Sequence, residues 1–250
     1  MIHREDRGLV AVVRMEHGKV NAVDTELLMA LTQEFREIEA SRAKAVVLTG
    51  TGSAFSAGVD LFRILRGGRD YLETFLPALT ETVQTFLTLT KPVVMAVNGH
   101  AIAGGCIIAC AGDYRLMADG GGKIGVPELL VGVPFPEMAL AVLRAVAPPQ
   151  HIQEMIYTGR TYSPQEALKR GIIDELVAPD ELMDRACTLA EQFGAIPSVS
   201  FRIAKRQLRQ PLLDRLEHYK QMDKEIIQLW ASDEIRAAIE SYLERTLGKK

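Results

Sequence analysis

The chain has 250 residues, of which 48% are hydrophobic and 24% charged; its 29 basic and 32 acidic side chains give a net charge of -3. This composition is that of a globular chain and excludes a disordered one. The near balance of charge argues against a nucleic-acid partner, which would favour a strongly basic face. A chain of this length can bury a substantial core without disulfides or metals.

The cysteines and the N-terminus indicate the compartment. Cys106, Cys110 and Cys187 are an odd number for a disulfide framework, and no His or Cys pair completes a metal site around them. The charged N-terminus has no apolar signal-peptide core, and no apolar run reaches the roughly 18 residues of a membrane span. We therefore expect a soluble, cytoplasmic protein with no metal and no membrane contact.

Strands and helices are predicted to alternate in the first half of the chain. Apolar residues recur at helical spacing after Asp24, which is a suitable N-cap, and residues 45–49 form the continuous apolar run of a strand covered on both faces. In chain order we predict a strand at 9–13, a helix at 24–39, a strand at 45–49, a helix at 71–89, a strand at 92–97 and a short apolar helix at 106–111.

The second half is predicted to be mostly helical. Residues 163–166 read Ser-Pro-Gln-Glu, a capping-box pattern with proline at the first helical position. The other predicted helices cover 137–147, 152–157, 181–193, 198–208, 212–229 and 233–247. We expect an α/β core over residues 1–195 and a helical region over 196–250, in which Lys249 and Lys250 form a solvated tail.

Two glycine-rich loops follow predicted strands, and neither fits a nucleotide site. In the loop at 50–58, Phe55 stands where a dinucleotide fingerprint has its third glycine. In the loop at 99–106, Gly105 and Cys106 replace the lysine and hydroxyl residue of a phosphate-binding loop. Gly104 and Gly105 instead open an apolar helix, whose unpaired N–H groups can stabilise an oxygen that gains negative charge. Alternatively, these glycines only allow close packing.

Several segments together resemble the crotonase (enoyl-CoA hydratase/isomerase) superfamily over nearly the whole chain. They match that superfamily in order and spacing. The segments are NAVD at 21–24, FSAGVDL at 55–61, KPVVMAVNGHAIAGGC at 91–106, DYRLMA at 113–118, GVPELLVG at 125–132, YTGR at 157–160 and GIID at 171–174.

The resemblance implies a crotonase-like spiral of repeated ββα units, with C-terminal helices that pack on the core or on a neighbouring subunit. It also implies an acyl-CoA thioester substrate from fatty-acid metabolism, no cofactor, and assembly as a homotrimer or homohexamer. The backbone N–H groups of Val59 and Gly104 would form the oxyanion hole. The residues implied to bind substrate are Lys19, Ala22, Ser56, Ala57, Gly58, Asp60, Leu61, Gly105 and Ile107.

The catalytic carboxylates separate the activities within the superfamily. Hydratases of this kind use two glutamates, and the position of the first is Ile107 here, which cannot transfer a proton. The second position is Glu128, whose apolar neighbours in the sequence would raise its pKa. A glutamate at this position could also simply favour a helix start. The resemblance thus implies an isomerase in which Glu128 carries a proton from carbon 2 to carbon 4 of a 3-enoyl-CoA.

Other readings stay open at this stage. A hydratase, decarboxylase or thioesterase could use the same oxyanion hole, and a catalytically silent acyl-CoA-binding protein could keep the fold. His100 is as compatible with a structural role as with catalysis. Trp230 is expected in the core or at a subunit contact rather than in the substrate pocket, and Cys106 and Cys110 are expected in the core.

Overall fold

A computed structural model describes residues 1–247 as ten strands and eleven helices; Lys249 and Lys250 lie outside the described residues. The strands are β1 (Ile2–Arg7), β2 (Val10–Met15), β3 (Ala45–Thr49), β4 (Ala54–Ser56), β5 (Val93–Val97), β6 (His100–Ile102), β7 (Tyr114–Ala118), β8 (Ile124–Gly125), β9 (Thr161–Tyr162) and β10 (Glu175–Val177). The helices are α1 (Thr25–Ala40), α2 (Leu61–Thr88), α3 (Gly104–Cys110), α4 (Glu128–Val131), α5 (Glu137–Val146), α6 (Pro149–Thr158), α7 (Pro164–Lys169), α8 (Leu182–Gly194), α9 (Ser198–Leu213), α10 (Leu216–Trp230) and α11 (Asp233–Leu247).

The strands form two sheets, and this arrangement confirms the predicted crotonase-like spiral. The larger sheet has the order β1-β2-β3-β5-β7-β10, and the smaller one has the order β4-β6-β8-β9. Three successive units, β3-β4-α2, β5-β6-α3 and β7-β8-α4, each place one strand in the larger sheet, the next in the smaller sheet, and then a helix. Neighbouring units pair in parallel, so equivalent loops and helix starts stack beside one another.

Burial on both faces explains the apolar strands of the larger sheet. Val46 and Leu48 point into the main hydrophobic core, whereas Val47 of the same strand belongs to a second cluster covered by α8. Because alternate side chains reach opposite faces of a strand, both sets must be apolar when both faces are covered.

Several local predictions are confirmed. Asp24 caps α1 by accepting a hydrogen bond from the Leu27 N–H at 2.8 Å. Ser163 and Glu166 form the predicted capping box at the start of α7. The three cysteines are free and buried.

Other boundaries differ from the sequence expectation. The strand predicted at 9–13 begins at Val10 and is preceded by β1, a polar strand at the edge of the sheet that has no apolar run to reveal it. Helix α2 begins at Leu61 rather than 71, and Gly68, at φ 53°, kinks it before the predicted start. Helix α3 begins at Gly104, two residues before the predicted start.

The C-terminal helices share the main core with the rest of the chain. The expected boundary at 195/196 falls in the connection between α8 and α9, while Trp230 of α10 and Ile239 of α11 belong to the same hydrophobic cluster as the sheet. Helix α9 is tied to the sheet by Lys205, whose Nζ lies 2.7 Å from Asp113 Oδ2. Among residues 1–247, no helix is both long and apolar enough to cross a lipid bilayer.

Candidate active site

A small cavity of about 100 Å³ lies where the loop before α2, the start of α3, helix α4 and the two last helices meet. Its lining is apolar apart from one carboxyl group and two aromatic polar groups. The lining residues are Ala57, Val59, Leu61, Ile102, Ala103, Pro127, Glu128, Val131, Val133, Trp230 and Tyr242. Four residues expected from the sequence, namely Ala57, Val59, Leu61 and Glu128, are thus brought together here.

Val59 has an N–H group that the surrounding backbone leaves free. Val23 forms an isolated parallel bridge with Val59, in which the Val23 N–H donates to the Gly58 carbonyl at 2.8 Å and the Asp60 N–H donates to the Val23 carbonyl at 3.0 Å. These bonds occupy the residues on either side of Val59. Its own N–H finds no acceptor in the described part of the chain.

Gly104 is the first residue of α3, so its N–H also lacks an intrahelical acceptor. No other acceptor for it occurs within residues 1–247. The preceding residue, Ala103, has φ 50° and ψ -122°, a backbone conformation that residues with a Cβ rarely adopt. Its N–H donates to the Gly125 carbonyl at 2.8 Å and so holds this turn against β8. Such strain is known to concentrate at functional sites.

The neighbouring glycines permit close packing, as the alternative reading proposed. A Cβ at Gly105 would lie 2.4 Å from the Ser56 carbonyl oxygen, and a Cβ at Gly58, whose φ is 94°, would lie 2.7 Å from the Ile102 carbonyl oxygen. These contacts bring the loop at 56–59 against the start of α3. Packing by Gly58 and Gly105 therefore brings the loop that carries Val59 close to Gly104, where an added Cβ would lie 3.2 Å from Val59 Cγ2.

Glu128 is the only carboxylate among the described residues that line the cavity, and it begins α4. The side chain is only 8% exposed, and burial raises its pKa to about 8. Its Oε2 atom is buried without a hydrogen-bond partner among the described residues. A carboxyl group held in this way can change its protonation state near neutral pH, which is what a general base requires.

Ile107 lies one turn into α3 and is 1% exposed. It is not one of the residues that line the cavity; it belongs to the main hydrophobic core. The position at which family hydratases have a second carboxylate is therefore occupied here by a buried apolar side chain.

The other residues expected to bind substrate are not among those that line the cavity. The Ser56 hydroxyl donates to the Asn21 carbonyl at 2.6 Å, and Asp60 Oδ1 caps α2 by accepting from the Arg63 N–H at 3.0 Å. Lys19 is exposed in a turn and Ala22 is half-buried. The polar groups of Ser56 and Asp60 thus brace the loops that carry Val59.

Seven lining residues were not expected from the sequence: Ile102, Ala103, Pro127, Val131, Val133, Trp230 and Tyr242. Trp230 lines the cavity as well as packing in the core, so the expectation that it lies outside the pocket is wrong. Tyr242 arrives from α11, and nothing in the local sequence marks it. Ala103 has no compositional signal beyond its place before two glycines. His100 is not among the lining residues, and its Nδ1 accepts a hydrogen bond from the Lys123 N–H at 3.2 Å.

Metal ligands are not assembled at this site: no group of three or more His, Cys, Asp or Glu side chains suited to a metal ion occurs within residues 1–247. The lining offers one carboxyl group and apolar surface. Val59, whose N–H lacks an acceptor among the described residues, lies on this wall; Gly104 is not a lining residue, although Ala103 directly before it is.

The chain matches the family model described as enoyl-CoA hydratase/isomerase over residues 5–248. It is 28% identical to mouse mitochondrial enoyl-CoA delta isomerase 1, over all of this chain and 88% of the relative. It is 36% identical to a probable enoyl-CoA hydratase from Mycobacterium avium, over 64% of this chain and 62% of the relative. The crystal structure of human mitochondrial delta3-delta2-enoyl-CoA isomerase superposes with a TM-score of 0.95 at 26% identity, covering all of this chain and 99% of the other.

Proposed function

The chain belongs to the enoyl-CoA hydratase/isomerase family, and we propose that within this family it moves the double bond of a 3-enoyl-CoA to the 2-position. The observation that carries this proposal is that Glu128 is the sole carboxylate among the described residues of the cavity wall. A reaction that removes and returns one proton needs one such group. Adding water needs two groups, because one must activate the water and another must protonate carbon 2.

Glu128 acts as the base in the first step. Its ionised carboxylate takes a proton from carbon 2; the electron pair of that C–H bond forms a double bond between carbons 1 and 2, and the carbonyl π pair moves onto the thioester oxygen, giving a dienolate. The apolar surroundings of Glu128 raise its pKa to about 8. A general base works best when its pKa lies near the pH at which the enzyme operates.

The N–H groups of Val59 and Gly104 stabilise the dienolate oxygen. Both donors are fixed by the backbone before substrate arrives, so little reorganisation is needed as charge develops. The proton held by Glu128 is then delivered to carbon 4, the oxygen electrons return, and a double bond remains between carbons 2 and 3. Atoms and charge balance, and the carboxylate is regenerated.

The reaction needs no cofactor, because the thioester itself accepts the electron pair. We further propose a homotrimer or homohexamer, as the family resemblance implies, in the cytoplasm, a reducing compartment in which the three free cysteines stay reduced. The relative from mouse carries a mitochondrial name, and cell fractionation distinguishes the two compartments.

Enoyl-CoA hydration is the competing function, because relatives of both names match the chain. The test mixes the purified protein with 3-hexenoyl-CoA and, separately, with 2-hexenoyl-CoA, and follows the absorbance of the conjugated thioester. We expect the first signal to rise and the second to stay constant. A fall in the second signal at a comparable rate would assign the protein as a hydratase, and no change in either would support a silent acyl-CoA-binding protein.

A further inference from the structure

The cavity beside Glu128 is small for an acyl-binding site. Ligand pockets commonly enclose roughly 300–1,000 Å³, whereas this cavity measures about 100 Å³. An apolar cavity of about 150 Å³ holds one benzene ring. By that measure, the space here takes about four carbon atoms.

The direction of the acyl chain follows from the positions of the reacting groups. The thioester oxygen is placed at Val59 and Gly104, and carbons 2 and 4 must both reach Glu128. Carbons beyond these can contact only the remaining apolar wall. That wall consists of Ala57, Leu61, Ile102, Ala103, Pro127, Val131, Val133, Trp230 and Tyr242, of which Trp230 and Tyr242 are the largest.

Trp230 forms a fixed part of this wall. It is 4% exposed, and its Nε1–H donates to the Pro134 carbonyl at 2.9 Å. Pro134 directly follows Val133, another lining residue, so the hydrogen bond ties the end of α10 to the segment after α4. The indole cannot turn aside for a longer chain without leaving a buried N–H unpaired.

Tyr242 closes the wall from α11. This helix packs closely on the end of α4: a Cβ at Gly132 would lie 2.7 Å from the Ala238 Cβ. Arg236 of α11 also donates to the Leu65 carbonyl of α2 at 3.1 Å. Contacts on both sides of the cavity therefore hold the helix that carries Tyr242.

We propose that Trp230 and Tyr242 restrict this site to short acyl groups by blocking the path of a longer chain. This inference rests on the proposed isomerase function for the position of the thioester. Both residues come from the C-terminal helices, so that region sets the substrate range of a site whose reacting groups come from the core.

The first test measures kcat/KM of the native protein for 3-hexenoyl-, 3-octenoyl- and 3-decenoyl-CoA. We expect a loss of at least tenfold between six and ten carbons. Equal or better activity on 3-decenoyl-CoA would overturn the inference, whatever any variant does.

Variants then assign the restriction to its residues. Trp230→Ala should raise the 3-decenoyl to 3-hexenoyl activity ratio at least tenfold, whereas the matched control Trp230→Phe retains a ring in the wall and should keep the native ratio. Tyr242→Ala, at a half-buried position, should shift the ratio in the same direction and serves if Trp230→Ala does not fold. Native ratios in both alanine variants would refute the assignment.

Binding measurements separate this inference from the proposed function. Hexanoyl-CoA and decanoyl-CoA have no double bond to move, and calorimetry gives their dissociation constants directly. If no 3-enoyl-CoA is isomerised but hexanoyl-CoA binds at least tenfold more tightly than decanoyl-CoA, the isomerase proposal fails and the chain-length limit stands. Equal binding of the two would overturn the limit.

Discussion

A Cβ atom at Gly104 would lie 3.2 Å from Cγ2 of Val59, closer than side chains normally pack. The two residues are 45 positions apart in the sequence, yet the stacked ββα units place them in direct contact. Because both present N–H groups without acceptors among residues 1–247, this contact fixes the spacing of the two proposed oxyanion donors. The absence of a side chain at Gly104 is what allows that spacing.

Replacing Gly104 by alanine should therefore lower kcat about tenfold. The added Cβ must displace Val59 by a few tenths of an ångström, and a small misplacement of reacting groups costs rate. Steady-state kinetics with 3-hexenoyl-CoA checks this, with Gly120→Ala as the control, since a Cβ at the exposed Gly120 meets nothing within 4 Å. An unchanged kcat in Gly104→Ala would argue against the oxyanion role.

Glu128→Gln should lower kcat at least about 10²–10⁴-fold, the range that general acid–base catalysis contributes. The amide keeps the shape of the side chain but cannot take the proton. Binding of hexanoyl-CoA, measured by calorimetry, should persist and serves as the control for an intact site. Isomerisation near the native rate would refute the mechanism.

The pH dependence of catalysis follows from the raised pKa of Glu128. The base must be ionised, so kcat/KM should rise about tenfold per pH unit below the pKa of about 8 and level off above it. A pH profile between 5 and 9 checks this at constant ionic strength. A profile already flat at pH 5 would show that another group takes the proton.

The same group should make folding stability depend on pH. The folded state holds the Glu128 proton up to about pH 8, while the ordinary value is 4.5. Between these values the folded state binds more protons than the unfolded state, so the free energy of unfolding from this group falls as pH rises. Glu128→Gln should therefore unfold at a higher temperature than the native protein at pH 8.5. At pH 4 the two melting temperatures should nearly coincide.

Ile107→Glu should produce a small gain of hydratase activity in a protein whose native hydration of 2-hexenoyl-CoA is weak or absent. The substitution adds a carboxylate at the first turn of α3, but at a 1% exposed core position that does not line the cavity; burial there costs stability, raises the pKa of the new group and keeps the gain small. Ile107→Gln is the matched control, since it adds polarity without a carboxyl group. Rapid hydration by the unmutated protein would show that Glu128 alone suffices for that reaction.

Light scattering should give the mass of a trimer or hexamer at micromolar concentration. Besides the family resemblance, helix α9 leaves apolar side chains in solvent: Val199 is 56% exposed and Leu208 is 81% exposed. A second copy would bury such side chains. A monomer alone under these conditions would contradict the proposed assembly.

Local sequence determined the elements whose signals are local. The apolar runs of β3 and β5 predict buried strands because both faces of those strands are covered. Asp24 and the capping box at Ser163 marked helix starts, because a cap acts within one helical turn. The motif around Glu128 likewise identified the candidate carboxylate, because the residue type at a motif position can be read from the sequence without the fold.

Only the tertiary structure decided which groups meet. Val59 and Gly104 come from different ββα units, and their approach depends on glycine contacts across units that no single segment encodes. The pKa of Glu128 depends on its burial by the fold. Trp230 and Tyr242 enter the cavity from helices that follow Glu128 by about a hundred residues. The sequence did not predict their place in the cavity, because the pattern of an apolar helix face is the same whether that face covers a core or a substrate.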